Sequence, residues 1–551
     1  MALRTGAQHL IDALAAQGVE RIFGVPGESY LAALDALVDS GIAFITCRHE
    51  AGAANMAEAD GKLTGRPGIC FVTRGPGATQ AAVGVHTAFQ DSTPMLLLVG
   101  QVRREDEGRE AFQELDYAQA FAGIAKAAFE IRDPARVGEQ MMRAYALALH
   151  GRPGPVVVGL PEDMLTEEAE APAPRAFTRA LSEPGGDTAR IIAARLDAAQ
   201  RPVILAGGPG WSAAARAALH DMAVRMNCPV ATSFRAKHVF DNTHSHYAGE
   251  AGIGVNPALR AALREADVIL AIGPRLGEMT TQSYELFDVP GGLSDRLIHI
   301  HPGGEELGRV YHPDMAVTAS PGAAMLAIAE AATPQNAARR AAWVAARRAD
   351  YEAFVQPVPV TGAVNPSEIW RAVSAKLGDQ AIMTNGAGNF AAWLHRFFDH
   401  SAYPGQLAPT SGAMGYGLPA AIAAKLRHPE RPVIAVCGDG DFLMAAPELA
   451  TAVQHGANIV VCVFDNGTYG TIRMHQERAY PGRVSGTGLV NPDFKMMALS
   501  FGMAAWYVAA TDEFLPALDA ALTSGRPSLI HVRQSPEDIA PGKRLSELKP
   551  A

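Results

Sequence analysis

Two short segments, Gly438-Asp439-Gly440 and, a helix and a strand further on, Asp465-Asn466-Gly467-Thr468-Tyr469-Gly470, carry residues whose types and spacing suit phosphate chemistry. The run 432–437 is short, apolar and β-branched, which predicts a buried strand delivering Gly438 and Asp439 to a strand end. Open α/β sheets bind ligands at such ends. Residues 444–455 then have helical spacing with Pro447 near their start, and 458–464 predicts a second buried strand ending at Asp465-Asn466. Both ends can face one ion. Magnesium takes oxygen ligands octahedrally, keeps waters, and is usually shared between one or two carboxylates and ligand phosphates. Asp439 supplies a charge and Asn466 a neutral oxygen. A glycine on either side of Asp439 lets the backbone approach a diphosphate with no Cβ in the way. Alone, Gly-Asp-Gly is a common turn; the second segment at this distance makes it a candidate metal–phosphate site.

Two more blocks stand out. Residues 45–61 predict strand, then Glu50, then helix. A Glu at a helix start commonly answers the helix dipole, whereas one facing a ligand can take part in proton transfer. Residues 409–421 predict a Gly-rich turn entering a helix near Pro419, with Met414 in the turn. Met is also a common core gap filler.

Together these blocks resemble the thiamine diphosphate (ThDP) enzymes, whose signature is Gly-Asp-Gly, a spacer of this length and an Asn at a strand end. The resemblance covers nearly the whole chain and is nearest the acetohydroxyacid synthase, or acetolactate synthase, branch. It implies a ThDP-binding fold, with Glu50 hydrogen-bonding the cofactor's aminopyrimidine and Met414 holding the cofactor bent. Asp439, Asn466 and Thr468 would hold Mg2+, and Gly438, Gly440, Tyr469 and Gly470 would line the cofactor. Gly24-Val25-Pro26-Gly27 is similar to the branch's first glycine turn and Gly75-Pro76-Gly77-Ala78-Thr79 to its second, which adds Pro26 and Gly75 to the cofactor set. Phe112-Gln113 is similar to its active-site pair, and Lys126 falls where the branch carries a substrate-channel Lys. The bland alternative for Lys126 is a solvated surface charge. The loop Gly386-Ala387-Gly388-Asn389-Phe390 looks like a diphosphate-contacting turn, with backbone donors for phosphate oxygens.

Several departures bear on the reaction. His475 replaces the synthase's substrate-pocket Trp, although an exposed polar position on a loop would also admit His. Glu28 stands where the synthase has a small residue and simple 2-oxoacid decarboxylases carry an acid; it could protonate the reacting carbon and release an aldehyde, or merely start a helix. No adjacent His pair of the pyruvate decarboxylase kind occurs. The resemblance therefore implies decarboxylation of a 2-oxo acid such as pyruvate followed by ligation to a second carbonyl. It leaves two alternatives, a non-ligating decarboxylase and a catalytically silent ThDP-fold binding protein. Biosynthetic synthases also bind FAD in the middle domain. Here Gly207-Gly208-Pro209-Gly210 and Ile272-Gly273-Pro274-Arg275 are similar to parts of that site, but His299 and His301 stand where those enzymes carry Asp, so FAD is left open and unsupported at its adenosine. Alternation on one strand with no evident third partner makes a structural role the expectation for these two His, rather than metal ligation. Because the family builds each site from two chains, a homodimer or homotetramer is implied; a regulatory subunit is left open.

The elements that must position these residues are those of a large globular protein. At 551 residues the chain is long enough for three or four domains. Its net charge of -10, from 47 basic and 57 acidic residues, does not recommend a nucleic-acid partner. No run is long and apolar enough to span a bilayer, and residues 1–10 enter an amphipathic helix without a secretory core, so no membrane association and a cytoplasmic location are expected. The five cysteines are scattered without metal or redox spacing and predict buried free thiols. Polar, Pro-rich stretches divide the chain into three consecutive α/β domains, 1–165, 186–335 and 360–535, with 167–174 as an exposed linker. The first is expected to bind the pyrimidine and the third the diphosphate. Alternating strands and helices predict mostly parallel sheets.

Overall fold

The β-branched runs form strands, and the Ala-rich segments between them form helices on both faces. The computed structural model describes residues 2–548. Three six-stranded sheets follow one another along the chain, and every ladder within them is parallel. Central strands such as Met95–Gln101 and Pro155–Pro161 are buried along their whole length, which is why they read as continuous apolar runs rather than alternating ones.

Counted from its own first strand, the first sheet has the order 2-1-3-4-6-5, and so has the third. The middle sheet has the order 3-2-1-4-5-6. The duplication leaves no short period in the sequence. In an open α/β sheet the ligand crevice opens where the strand order reverses. In the third sheet this point lies between Ile382–Asn385 and Val433–Gly438, because the chain leaves the former for Gln406–Leu407 on one side and returns on the other. In the first sheet it lies between Arg21–Gly24 and Gly68–Val72. The loops leaving these strands are 25–28, 73–77, 386–390 and 438–440, which contain most of the candidate cofactor residues.

The opening residues differ from the expected immediate helix. Ala2–Thr5 is a strand paired antiparallel with Glu168–Ala171, inside the stretch expected to be a linker. Such pairing uses only backbone groups, so a Glu-, Ala- and Pro-rich composition does not betray it. Thr5 then starts the helix Gly6–Ala16 with a capping box, accepting from Gln8 N at 3.2 Å while the Gln8 side chain accepts from Thr5 N at 3.1 Å.

The middle sheet has its own core, around Ile204, Tyr247 and Ile298. The first and third sheets share one: Ala53, Ala54 and Ala57 of the helix Glu50–Thr64 belong to the same buried cluster as Ala420, Ala421 and Ala424 of the helix Gly417–Arg427. All five cysteines are free and buried.

Candidate active site

The diphosphate half is built from three glycine loops. Gly438 closes the strand Val433–Gly438, and Asp439 opens the helix Asp439–Leu443. Asp439 is 3% exposed. Its Oδ1 accepts from Gly440 N at 3.0 Å; its Oδ2 accepts from Gly467 N at 2.9 Å and from Asn491 Nδ2 at 2.7 Å. All are neutral donors, and burial together with the nearby Asp465 pushes its carboxyl above the usual range against their pull. Asp465 also accepts from Asn491, at 2.8 Å, and from His531, at 3.0 Å. Burial opposes its charge, but the His531 and Asn491 hydrogen bonds outweigh it and hold the carboxyl down at about 2.

Asn466 turns the chain, its Oδ1 accepting from Thr468 N at 3.1 Å. The Thr468 hydroxyl donates to Thr487 O at 2.8 Å, which commits its proton. A returning strap, bridged at Thr468 and Gly488, carries Asn491 back over the loop.

A thiamine diphosphate–magnesium pair suits this donor set. Asp439 is a buried carboxylate without a cationic partner among the described residues, and Asn491 Oδ1 beside it is buried without a hydrogen bond. A hard divalent cation would answer the Asp439 carboxylate. Among the described residues no three His, Cys, Asp or Glu side chains gather as a metal site; a magnesium site needs only one such group, with amide, backbone and phosphate oxygens completing it. A Cβ on Gly438 would sit 2.7 Å from the Phe390 ring, and one on Gly440 2.4 Å from the Tyr469 ring. Asn389 opens the helix Asn389–Phe397 and accepts from Thr471 Oγ1 at 2.9 Å, and Gly470 opens the helix Gly470–Ala479.

Asp441 ties the loops at 387 and 415 to its own. It is 1% exposed, and its Oδ1 accepts from Ala387 N at 3.2 Å and from Gly415 N, next to Met414, at 2.9 Å. Its Oδ2 is buried and unpartnered, and burial pushes the carboxyl up to about 7. Met414 is half-buried in the turn before the helix Gly417–Arg427.

The second half gathers at the corresponding edge of the first sheet. Glu50 opens the helix Glu50–Thr64 and is 9% exposed, yet its carboxylate makes no hydrogen bond or ion pair among the described residues. The capping is done by others. His49 Nδ1 accepts from Ala51 N at 3.0 Å, and Glu448 accepts from Arg48 N at 3.1 Å and His49 N at 2.9 Å. The dipole role that a helix-start Glu commonly plays is thus filled, leaving Glu50 free for a ligand. No hydrogen bond links Glu50 to the Asp439 cradle of the same chain.

Pro26 is exposed, in the turn before the single-turn helix Glu28–Tyr30. Glu28 faces Arg74 Nη1 at 3.5 Å, and Arg74 also pairs with Glu162. Gly75 opens the helix Gly75–Asp91 and donates to Gln113 O at 2.9 Å, which holds the Phe112-Gln113 loop at the same edge. Gln113 has φ +67° and Phe112 is 73% exposed.

Two candidates are placed otherwise than expected. Lys126 precedes the strand Ala127–Glu130, and because the sheet is parallel it lies at the edge opposite Glu28, Glu50 and Gly75. It is not a freely solvated charge either: its Nζ donates to the carbonyls of His150 and, at 2.8 Å, Arg152, and burial pulls its pKa down to about 8. His475 is exposed, as the bland alternative allows, but on the helix Gly470–Ala479 rather than a loop. In the middle domain, His299 meets Pro274 O at 2.9 Å and His301 meets Gly303 O at 3.1 Å, and Arg275 reaches Glu306 at 3.2 Å. Asn491, Asp441 and Glu448 were not singled out by sequence; each acts on a loop distant along the chain, and no local pattern marks them.

Comparison with known proteins agrees with this geometry. Residues 4–120 match the model of the thiamine pyrophosphate enzyme N-terminal TPP binding domain, 189–328 that of the central domain, and 386–532 that of the C-terminal TPP binding domain. The chain is 33% identical to the acetolactate synthase large subunit of Parasynechococcus marenigrum (strain WH8102), over 99% of this chain and 90% of that protein. It is 30% identical to the acetolactate synthase isozyme 2 large subunit of Escherichia coli (strain K12), over 96% and 95% respectively. It is 31% identical to the acetolactate synthase of Bacillus subtilis (strain 168), over 96% and 92%. The chain belongs to the thiamine pyrophosphate enzymes, in the family of the acetolactate synthase large subunits.

Proposed function

We propose that this protein decarboxylates a 2-oxo acid such as pyruvate and joins the remaining fragment to a second carbonyl, as an acetolactate synthase-like carboligase. The observation that carries the reading is the presence of a buried, unengaged Glu50 at the carboxyl edge of the first sheet together with a buried, cation-free Asp439 at the strand-order reversal of the third. Thiamine diphosphate, when bound, supplies the nucleophilic carbon and the electron sink for loss of carbon dioxide. The chain supplies the rest. Asp439, Asn466 and the main-chain oxygen of Thr468 would hold Mg2+, and the loops 386–390 and 438–440 would hold the diphosphate. Glu50 would share a proton between its carboxyl oxygen and the pyrimidine ring nitrogen. Phe112, Gln113 and His475 would border the acceptor. The reading assigns no step to a flavin.

Because the family builds each site from two chains, the reading joins Glu50 of one chain to Asp439 of another and makes the protein at least a homodimer, with a homotetramer as the higher assembly. No helix among the described residues is long and apolar enough to cross a membrane. A second reading, a decarboxylase that releases an aldehyde, is favoured by Glu28 at the same sheet edge. Incubation with ThDP, Mg2+ and a panel of 2-oxo acids, followed by NMR, tests both. Acetolactate or another hydroxyketone supports ligation, and aldehyde alone supports the second reading. No turnover of any acid by protein that holds ThDP would refute both.

A further inference from the structure

Glu448 lies nine residues beyond Asp439, at the start of the helix Glu448–Gln454 in the C-terminal domain, yet its carboxylate serves the N-terminal one. It is 1% exposed. Oε1 accepts from His49 N at 2.9 Å and Arg48 N at 3.1 Å, and Oε2 accepts from Thr451 Oγ1 at 2.6 Å. No Lys, Arg or His forms an ion pair with it among the described residues. A Cβ on Gly52 would come within 2.4 Å of Oε1, so the first turn of the helix Glu50–Thr64 closes directly on this carboxylate.

The two N–H groups that Glu448 takes belong to the residues immediately before Glu50, and that of Ala51, just after it, is taken by His49. Hydrogen bonds to an ionised acceptor are stronger than neutral ones, and a helix N-terminus favours an anion. With Glu448 removed, the two N–H groups just before Glu50 lose their acceptor, and the turn that carries its carboxylate is free to shift. Docking two domains would be served by any well-packed contact. Taking the donors flanking one unengaged carboxylate is a narrower role.

We infer that Glu448 is a positioning residue for Glu50: it caps the strand-to-helix turn from the other domain, so that the Glu50 carboxylate stays turned toward the cofactor's pyrimidine. This rests on the function proposed above. The test follows exchange of the thiazolium C2 proton of bound ThDP by quenched-flow NMR, alongside ThDP affinity by calorimetry at fixed Mg2+ and thermal unfolding. Wild type is expected to accelerate exchange over free ThDP. Glu448→Ala is expected to slow it by about 10- to 100-fold, the range for a misplaced reacting group, with affinity within about threefold of wild type because the Asp439 cradle is untouched. Glu448→Gln keeps an oxygen acceptor for Arg48 and His49 and is expected to recover most of the rate, a rescue that a purely electrostatic effect would not give. Gly52→Ala displaces the carboxylate without removing it and provides the same test should Glu448→Ala fold poorly; it too is expected to slow exchange. Wild-type exchange in folded Glu448→Ala or Gly52→Ala, or a fall matched by lost affinity, overturns the inference alone. Wild type that does not bind ThDP or speed its exchange overturns the proposed function and the inference with it.

Discussion

Replacing Asp441 by Ala removes the acceptor that joins the loops at 387 and 415. Both N–H groups, from Ala387 at 3.2 Å and Gly415 at 2.9 Å, point at one buried oxygen. A buried donor left unmet costs about 1–3 kcal/mol, so the pair could cost about 2–6 kcal/mol. Part of that is returned, because the substitution also removes a buried carboxylate whose Oδ2 has no partner. The loops can relieve the remainder by opening, and ligand binding must then close them again. A share of about 1.5–3 kcal/mol, at about 1.4 kcal/mol per decade, predicts ThDP affinity weakened by about 10- to 100-fold. Calorimetric titration of ThDP at saturating Mg2+ measures this directly. Asp441→Asn keeps one oxygen acceptor and should stay within about fivefold of wild type. Equal affinity in Asp441→Ala and wild type, with the variant folded, would refute the argument that this carboxylate organises the cradle.

Glu50→Gln should bind ThDP nearly as wild type does while C2 proton exchange slows by about 100-fold or more, the range for loss of a general acid–base; unchanged exchange in the loaded variant would remove Glu50 from its role. Asp439→Ala should lose Mg2+-dependent ThDP retention in calorimetry. If sites are shared between chains, random mixing of inactive Glu50→Gln and Asp439→Ala subunits should restore about a quarter of wild-type activity, since half the dimers would carry one intact site. No recovery after verified subunit exchange would place each site within one chain. Burial holds His220, His246 and His301, all in the middle domain, at about 4. With folded pKa values below the unfolded 6.5, their contribution to stability is complete above pH 6.5 and is lost as pH falls toward 4. At pH 5 this is up to about 2 kcal/mol for the fully buried His301 and less for the half-buried pair. Hydrogen exchange should therefore show residues 189–328 losing protection as pH falls from 6.5 toward 4, and unchanged protection there would contradict the assignment.

What the sequence disclosed follows the range of the forces involved. The strands ending at Gly438 and Asp465 were legible because burial on both faces writes a continuous apolar run into adjacent residues. The importance of Asp439 was legible because a glycine stands on either side of it and a second segment follows at a set distance; that the glycines also make room for the Phe390 and Tyr469 rings was not. Asn491 was not, since it returns to Asp439 on a strap whose 26-residue separation from Asp465 follows no period. The strands Ala2–Thr5 and Glu168–Ala171 were hidden because backbone pairing places no demand on side-chain type. Lys126 was assigned by motif position alone; only the direction of the parallel strands reveals that it lies at the far edge of the sheet.

The core shared by the first and third sheets also bears on how the molecule is made. The helix Glu50–Thr64 emerges early in synthesis, but its partner face, Gly417–Arg427, follows more than 350 residues later. At about 5–20 residues per second the nascent N-terminal third keeps an Ala-rich apolar face open for roughly 20–70 s, while the middle domain, whose core is local, can already close. The chain should therefore mature out of order, with its central third first and its two ends together. Chaperone dependence during translation should fall on the N-terminal third.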